Sequence, residues 1–349
     1  MGGLFRGLMT HRDLSIALQL FAAAALALGL AQMLGLTNPY WAAMPVWVVH
    51  QIWREDLLRR AALRVLGTLA GAALALGLLA LGPPDWVIAV VLSLLVGVSA
   101  GVAWWIGTVM SYGAFMLGVT LFVVLLPALA GSAPDVPATS AAMDRILCTL
   151  IGVVSVTAVT FAFTPPRSVP LPPRVLPGRT RAALRRALFC VAMSGLAAVL
   201  VMLWPRFDVL TGAMTLTVYP MILAAAPDPR PIRRTLVPGV AIGMLAALAF
   251  LALVAPLRLD GAGVVFAVTL VFLAAGAVLR AHPRTAGMGL DANMCFLLLA
   301  EVGTWRHAPE DAAVAGACAL AAAVFVVLVA PAGLGRAVRP APPVGETPG

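Results

Sequence analysis

What most constrains this chain is a repetition. Between Leu14 and Ala332 apolar runs return one after another, many of them near the ~20 residues that a helix needs to cross a bilayer. The runs lack the period-two alternation of a barrel strand, so helices are the spanning elements they can form. Composition agrees. With 62% hydrophobic residues, 11% charged residues and a mean hydropathy of +1.02, the chain has too little polar surface to cover a water-soluble core. The expected fold is an all-α integral membrane protein.

Charged and Pro/Gly breaks divide the apolar sequence into twelve candidate spans, centred near Ala25, Val46, Ala72, Leu94, Gly118, Val154, Ala197, Leu216, Leu245, Leu270, Cys295 and Val324. The second, eighth and eleventh read as short, and the fourth and fifth run together. The first resembles a secretory signal in its basic start, but it is long enough to span and another span follows at once, so an uncleaved helix is expected. Every basic side chain apart from the four histidines is an arginine, and the net charge is +9. The arginines cluster in short segments between apolar runs, which points to membrane orientation and away from nucleic acid. Placing the N terminus in the cytoplasm puts 19 arginines inside and leaves Arg145, Arg206, Arg258 and Arg306 outside. That asymmetry predicts twelve spans with both termini cytoplasmic.

The segment from Thr164 to Arg186, "TPPRSVPLPPRVLPGRTRAALRR", reads as an extended cytoplasmic linker on an anionic membrane face. It separates two six-helix repeats, residues 14–163 and 187–333, with cytoplasmic tails at 1–13 and 334–349. "AAMPVWVV" around Met44 aligns with "GAMTLTVY" around Met214, and Gly67 and Gly71 align with Gly239 and Gly243, at offsets of 170 and 172 residues. Two copies of six spans share one orientation, so a pathway between the repeats is the natural expectation. The small-residue pairs Gly67/Gly71, Gly97/Gly101 and Gly239/Gly243 suit close helix packing.

Several residues carry a family resemblance. "NPYWAAM", then "LLRRAALRVLGTLAGAAL", with "MDRILCTLIGVV" opening the sixth span, resembles the repeated membrane module of the fusaric acid resistance, or aromatic acid exporter, family. Pro39, Tyr40 and Trp41 match its start to the second helix, and Arg64, Leu66, Gly67 and Thr68 its start to the third. In the second copy Leu210 and Thr211 replace the ring pair. The resemblance implies efflux of aromatic carboxylic acids across a bacterial inner membrane, alongside a periplasmic adaptor protein and an outer-membrane channel. It is more distantly similar to plant anion channels, which keeps a passive anion pathway open. The large soluble domain of familiar exporters has no counterpart between the halves, so a non-transporting membrane subunit also stands as an alternative. A homo-oligomer stays open.

No HExxH, Gly-x-Ser-x-Gly or phosphate-loop pattern occurs, and Cys148, Cys190, Cys295 and Cys318 lack metal or redox spacing, so neither an enzyme nor a cofactor or metal site is expected. Function would then rest on polar groups at membrane depth. The substrate-pathway candidates are Tyr40, Trp41, His50, Arg60, Arg64, Arg280 and Asn293. Tyr40 and Trp41 open a helix whose positive end suits an anion, and Arg60 and Arg64 share a helix face from which they either snorkel or receive a carboxylate. Asp291, His50 and Asp144 are the proton-coupling candidates. Each has a structural alternative: an ion pair of Asp291 with Arg280 or Arg284, a packed neutral His50, and Asp144 in a first helical turn.

Overall fold

The structure, a computed structural model, describes residues 9–131, 138–168, 179–255, 261–304 and 306–331. Among them are twelve α-helices, one 3-10 turn (Phe161–Phe163) and no strand. The helices are α1 (His11–Met33), α2 (Tyr40–Val49), α3 (Arg54–Ala80), α4 (Asp85–Ile106), α5 (Ser111–Leu129), α6 (Ala138–Thr160), α7 (Arg179–Leu203), α8 (Phe207–Ala225), α9 (Arg230–Val254), α10 (Ala262–Ala281), α11 (Ala286–Ala300) and α12 (Pro309–Val329). Ten are long and apolar enough to cross a membrane. The two others, α2 and α11, reach only about 15 and 22 Å at helical rise, short of a hydrocarbon core of about 30 Å. Helices so short need protein around them, and both are mostly buried.

Every expected apolar run is a helix, with three differences. α8 is full length: Thr211, Thr215 and Thr217 return their hydroxyls to carbonyls one turn back, so polar residues do not interrupt it. α4 and α5 are separate, because Gly107 takes a left-handed conformation (φ 60°) that ends α4. The linker is shorter than the sequence suggested, since residues 179–186 already belong to α7. Its first residues are also anchored. Arg54 N–H donates to the Pro165 carbonyl, Arg167 N–H to the Glu55 carboxylate, and the Arg167 side chain pairs with Asp56. Residues 1–8, 132–137, 169–178, 256–260, 305 and 332–349 lie outside the described residues, and with them most of the expected tails, the linker centre and Arg258.

Helix pairings repeat between the halves. In the first, α1 packs on α2, α2 on α6, α3 on α5 and α6, and α4 on α5; in the second, α7 packs on α8, α8 on α12, α9 on α11 and α12, and α10 on α11. The contacts between halves include two matched pairs, α4 with α7 and α10 with α1, and α5 with α8 and α11 with α2. That is the pattern of a pseudo-two-fold relation. The glycine pairs make it possible. A Cβ on Gly67 or Gly71 would lie 2.5 or 2.6 Å from the Gly113 or Leu117 carbonyl oxygen of α5; on Gly239 or Gly243 it would lie 2.8 or 2.5 Å from the Met288 or Ala292 carbonyl oxygen of α11. Only hydrogen fits between these backbones.

Between the halves α2 packs on α11 and α5 on α8, while the other helices carry exposed side chains such as Leu66, Val98, Val154, Leu245 and Val271 outward, as lipid requires. One end of the bundle is basic. There the start of α3 meets the end of α6, the start of α7 meets the end of α8, and α10 and α2 end together. In the α8–α9 connection at this end, hydrogen bonds from the Arg230 side chain hold the Asp228 carboxyl below the usual carboxylate range. The opposite end gathers the α1–α2 connection, the start of α6 and the α11–α12 connection.

Candidate functional site

α2 is broken short at both ends, and polar side chains converge on it. Its last turn leaves carbonyl oxygens without an intrahelical donor. Arg60 of α3 donates through Nη1 to the Val48 carbonyl (3.0 Å), and Arg280 of α10 donates through Nε to the Trp47 carbonyl (3.2 Å). Both cations also suit the negative end of the helix dipole. His50 is the residue at which α2 stops; it is half-buried and within electrostatic reach of Arg280.

At the other end of α2, where Tyr40 and Trp41 were expected to frame an anion site, a carboxylate of the protein holds the turn that leads into the helix. Asp144 accepts from the backbone N–H groups of Thr37 (2.8 Å) and Asn38 (2.9 Å) and from the Asn38 side chain (3.0 Å). Tyr40 is buried and donates to Asn38 Oδ1. Nor does Asp144 lie in a first helical turn, since α6 begins at Ala138. Its neighbour Arg145, expected outside, is instead two turns into α6 and 4% exposed, with its guanidinium 5.3 Å from the Trp41 ring.

Arg64 lies between these ends. It is 2% exposed and donates through Nη1 to the Tyr112 hydroxyl (2.6 Å) and to Met116 Sδ (3.5 Å). Arg60 packs over the ring of the same Tyr112, 5.0 Å from its centroid. Arg280, Arg60, Arg64 and Arg145 therefore form a line of four cations along α2. None of the four has a carboxylate within ion-pair distance among the described residues.

The second half is built differently at the matching places. Gly67 faces Met116 and Gly239 faces Asp291, so Met116 and Asp291 are equivalent; Arg64, three residues before Gly67, corresponds to Leu236, three before Gly239. A cation on the outer helix in one half is replaced by an acid on the inner helix in the other. Asp291 is 7% exposed and has no hydrogen-bond donor among the described residues. It senses the charge of Arg280 but forms no close ion pair with it or with Arg284. Asn293 does not join this group: its amide donates to the carbonyls of Gly276 and Gly289 and ties α11 to α10. Arg60, His50, Arg280 and Asp291 stand out in the sequence by residue type, but nothing there shows that Arg60 and Arg280 meet at the end of α2. Tyr112 and Arg145 were not among the candidates, Arg145 because "MDRILC" reads as the outer opening of a span.

A helical bundle with ten apolar helices of spanning length and a basic interior around a buried short helix defines a multi-pass membrane protein. The chain belongs to the fusaric acid resistance protein family, whose model matches residues 13–203, more than half of the chain. The match runs from α1 to the end of α7 and contains all of α2 with Arg60, Arg64 and Arg145; Arg280 and Asp291 lie beyond it. No curated protein and no solved structure matches the chain.

Proposed function

We propose that this protein is a bacterial inner-membrane exporter that carries small aromatic organic anions along α2, with its basic end in the cytoplasm, in exchange for protons. The observation that carries the reading is the line Arg280, Arg60, Arg64 and Arg145. Cations without carboxylate partners, Arg64 and Arg145 buried and Arg60 and Arg280 half-buried, are costly at membrane depth and mark an anion path. Arg60 and Arg280 at the cytoplasmic end also cap α2, so they attract the anion while holding the helix. Arg64 and Arg145 take it deeper. The path follows α2 of the first half and borders the second at α10, through Arg280, and at α11, where an axis between equal repeats would have been expected.

Asp291 supplies the proton site. A buried carboxyl with no fixed donor is free to exchange a proton, and the groups that bear on it are Arg280 of α10, Tyr219 of α8 and Cys295 of its own helix. A passive anion channel would have the same cations and no need of Asp291. The test uses proteoliposomes and benzenesulfonate, an aromatic anion with no neutral form to leak through lipid. Movement against its gradient is expected only with an imposed pH gradient, and Asp291→Asn should leave downhill flux but remove the pH dependence. Flux indifferent to the pH gradient in the wild type contradicts proton exchange and favours the channel.

A further inference from the structure

Arg145 is a cation without an acceptor. At 4% exposure it hydrogen-bonds no described residue, its Nε is bare, and the Trp41 face is its one ring partner. A cation–π contact compensates only a small part of burying an unpaired charge. Asp144, next in the chain, forms no ion pair with it; its oxygens accept from the Thr37 and Asn38 donors. Arg64 is only partly satisfied, by the Tyr112 hydroxyl and Met116 Sδ, and has no carboxylate partner among the described residues. Its Nε is bare, and so is the buried hydroxyl of Thr68, one turn further along the same face of α3. α3 packs on α6, which brings Arg64 close enough for its charge to bear on Arg145. Two guanidinium groups that repel one another in a dry interior, among further unused donors, leave room in the electrostatics for one anion.

We propose that Arg64 and Arg145 form the receptor for the carboxylate of the transported anion, with the Thr68 and Tyr112 hydroxyls as further donors and the Trp41 ring as the face for the anion's aromatic group. The assignment rests on the exporter reading above and names its binding residues. Guanidinium forks meet a carboxylate through paired N–H bonds, so the receptor selects a planar carboxylate over the isosteric amide. It is present once per chain. The Cys148 thiol meets Asn38 at the start of α2 and the Cys318 thiol meets Asp208 at the start of α8, so Arg145 corresponds to Ala315, three residues before Cys318. With Leu236 at the place of Arg64, the second half lacks both cations.

The test is titration calorimetry on the full chain in lipid nanodiscs, with benzoate as probe and benzamide as its neutral isostere. One benzoate per chain is expected, with benzamide at least about tenfold weaker. Arg64→Gln and Arg145→Gln should each weaken benzoate by about tenfold or more, and Arg145→Lys, which keeps the charge and loses the fork, by less. Thr68→Val, a near-isosteric change that leaves both cations in place, should weaken it by a few-fold. Benzamide binding as well as benzoate overturns the receptor. So does wild-type affinity in both Gln variants while the wild type still carries benzenesulfonate, and that result leaves the exporter reading standing. A wild type that neither binds benzoate nor carries benzenesulfonate overturns the exporter reading and the receptor with it.

Discussion

Asp144 and Arg145 are adjacent in sequence and opposite in circumstance. Asp144 holds the α1–α2 connection through three donors, with Thr37 and Asn38 more than a hundred residues away. Hydrogen bonds to a charged group contribute about 1.5–3 kcal/mol each, but Asn at this place would keep part of the set. Asp144→Asn is therefore expected to destabilise the protein by roughly 1–3 kcal/mol, seen as a lower thermal midpoint in detergent. An unchanged midpoint would mean that the carboxylate is not what holds the turn. The sequence places both residues as charges at the opening of the sixth span. It carries no signal for the distant backbone that satisfies one of them, nor for the lack of any acceptor beside the other.

At the scale of elements, all twelve helices were legible because apolar runs of spanning length survive any detail of packing. Ends and interruptions were not. The Thr-rich start of α8 looks polar until its hydroxyls are folded back onto the helix, and the left-handed Gly107 is one residue in a continuous apolar stretch. α2 depends on α6. A Cβ on Gly152 would approach the Pro45 ring to 2.7 Å and run into the Ala42 carbonyl oxygen. Gly152→Leu should therefore drive α6 from α2, at a cost of about 1–3 kcal/mol or more, and lower the thermal midpoint. Gly77→Ala on α3 is the control. Nothing lies within 4 Å of its Cβ position, so the change is expected to be neutral or to stabilise by up to ~1 kcal/mol through helix propensity. Equal effects at both sites would contradict the α2–α6 contact.

At the scale of the molecule, two offsets of 170 and 172 residues announced a repeat, and the matched helix pairings agree with it. What the offsets could not reveal is that the repeats diverge in charge, Arg64 and Arg145 against Leu236 and Ala315, Met116 against Asp291. The α4–α7 contact between halves can be tested chemically. A Cβ on Gly101 would lie 3.1 Å from the Ala187 Cβ, near the separation that a disulfide spans. Gly101→Cys with Ala187→Cys, in a background with the four native cysteines replaced, should give a linked peptide by mass spectrometry after mild oxidation. Absence of the link would contradict the packing of the halves. Orientation is open to the same chemistry: an Arg306→Cys variant in intact cells should react with an impermeant maleimide, and Arg185→Cys should not. The reverse pattern would turn the basic end outward.

The most direct measurement is benzenesulfonate flux into proteoliposomes, corrected for protein-free leak, for the wild type and Arg64→Gln side by side. If the cations along α2 are the anion path, the wild type carries the anion and excludes benzylamine, a cation of similar size, and Arg64→Gln lowers the flux at least about tenfold while the protein stays folded. Equal flux in the two proteins, or passage of benzylamine as readily as benzenesulfonate, would contradict it.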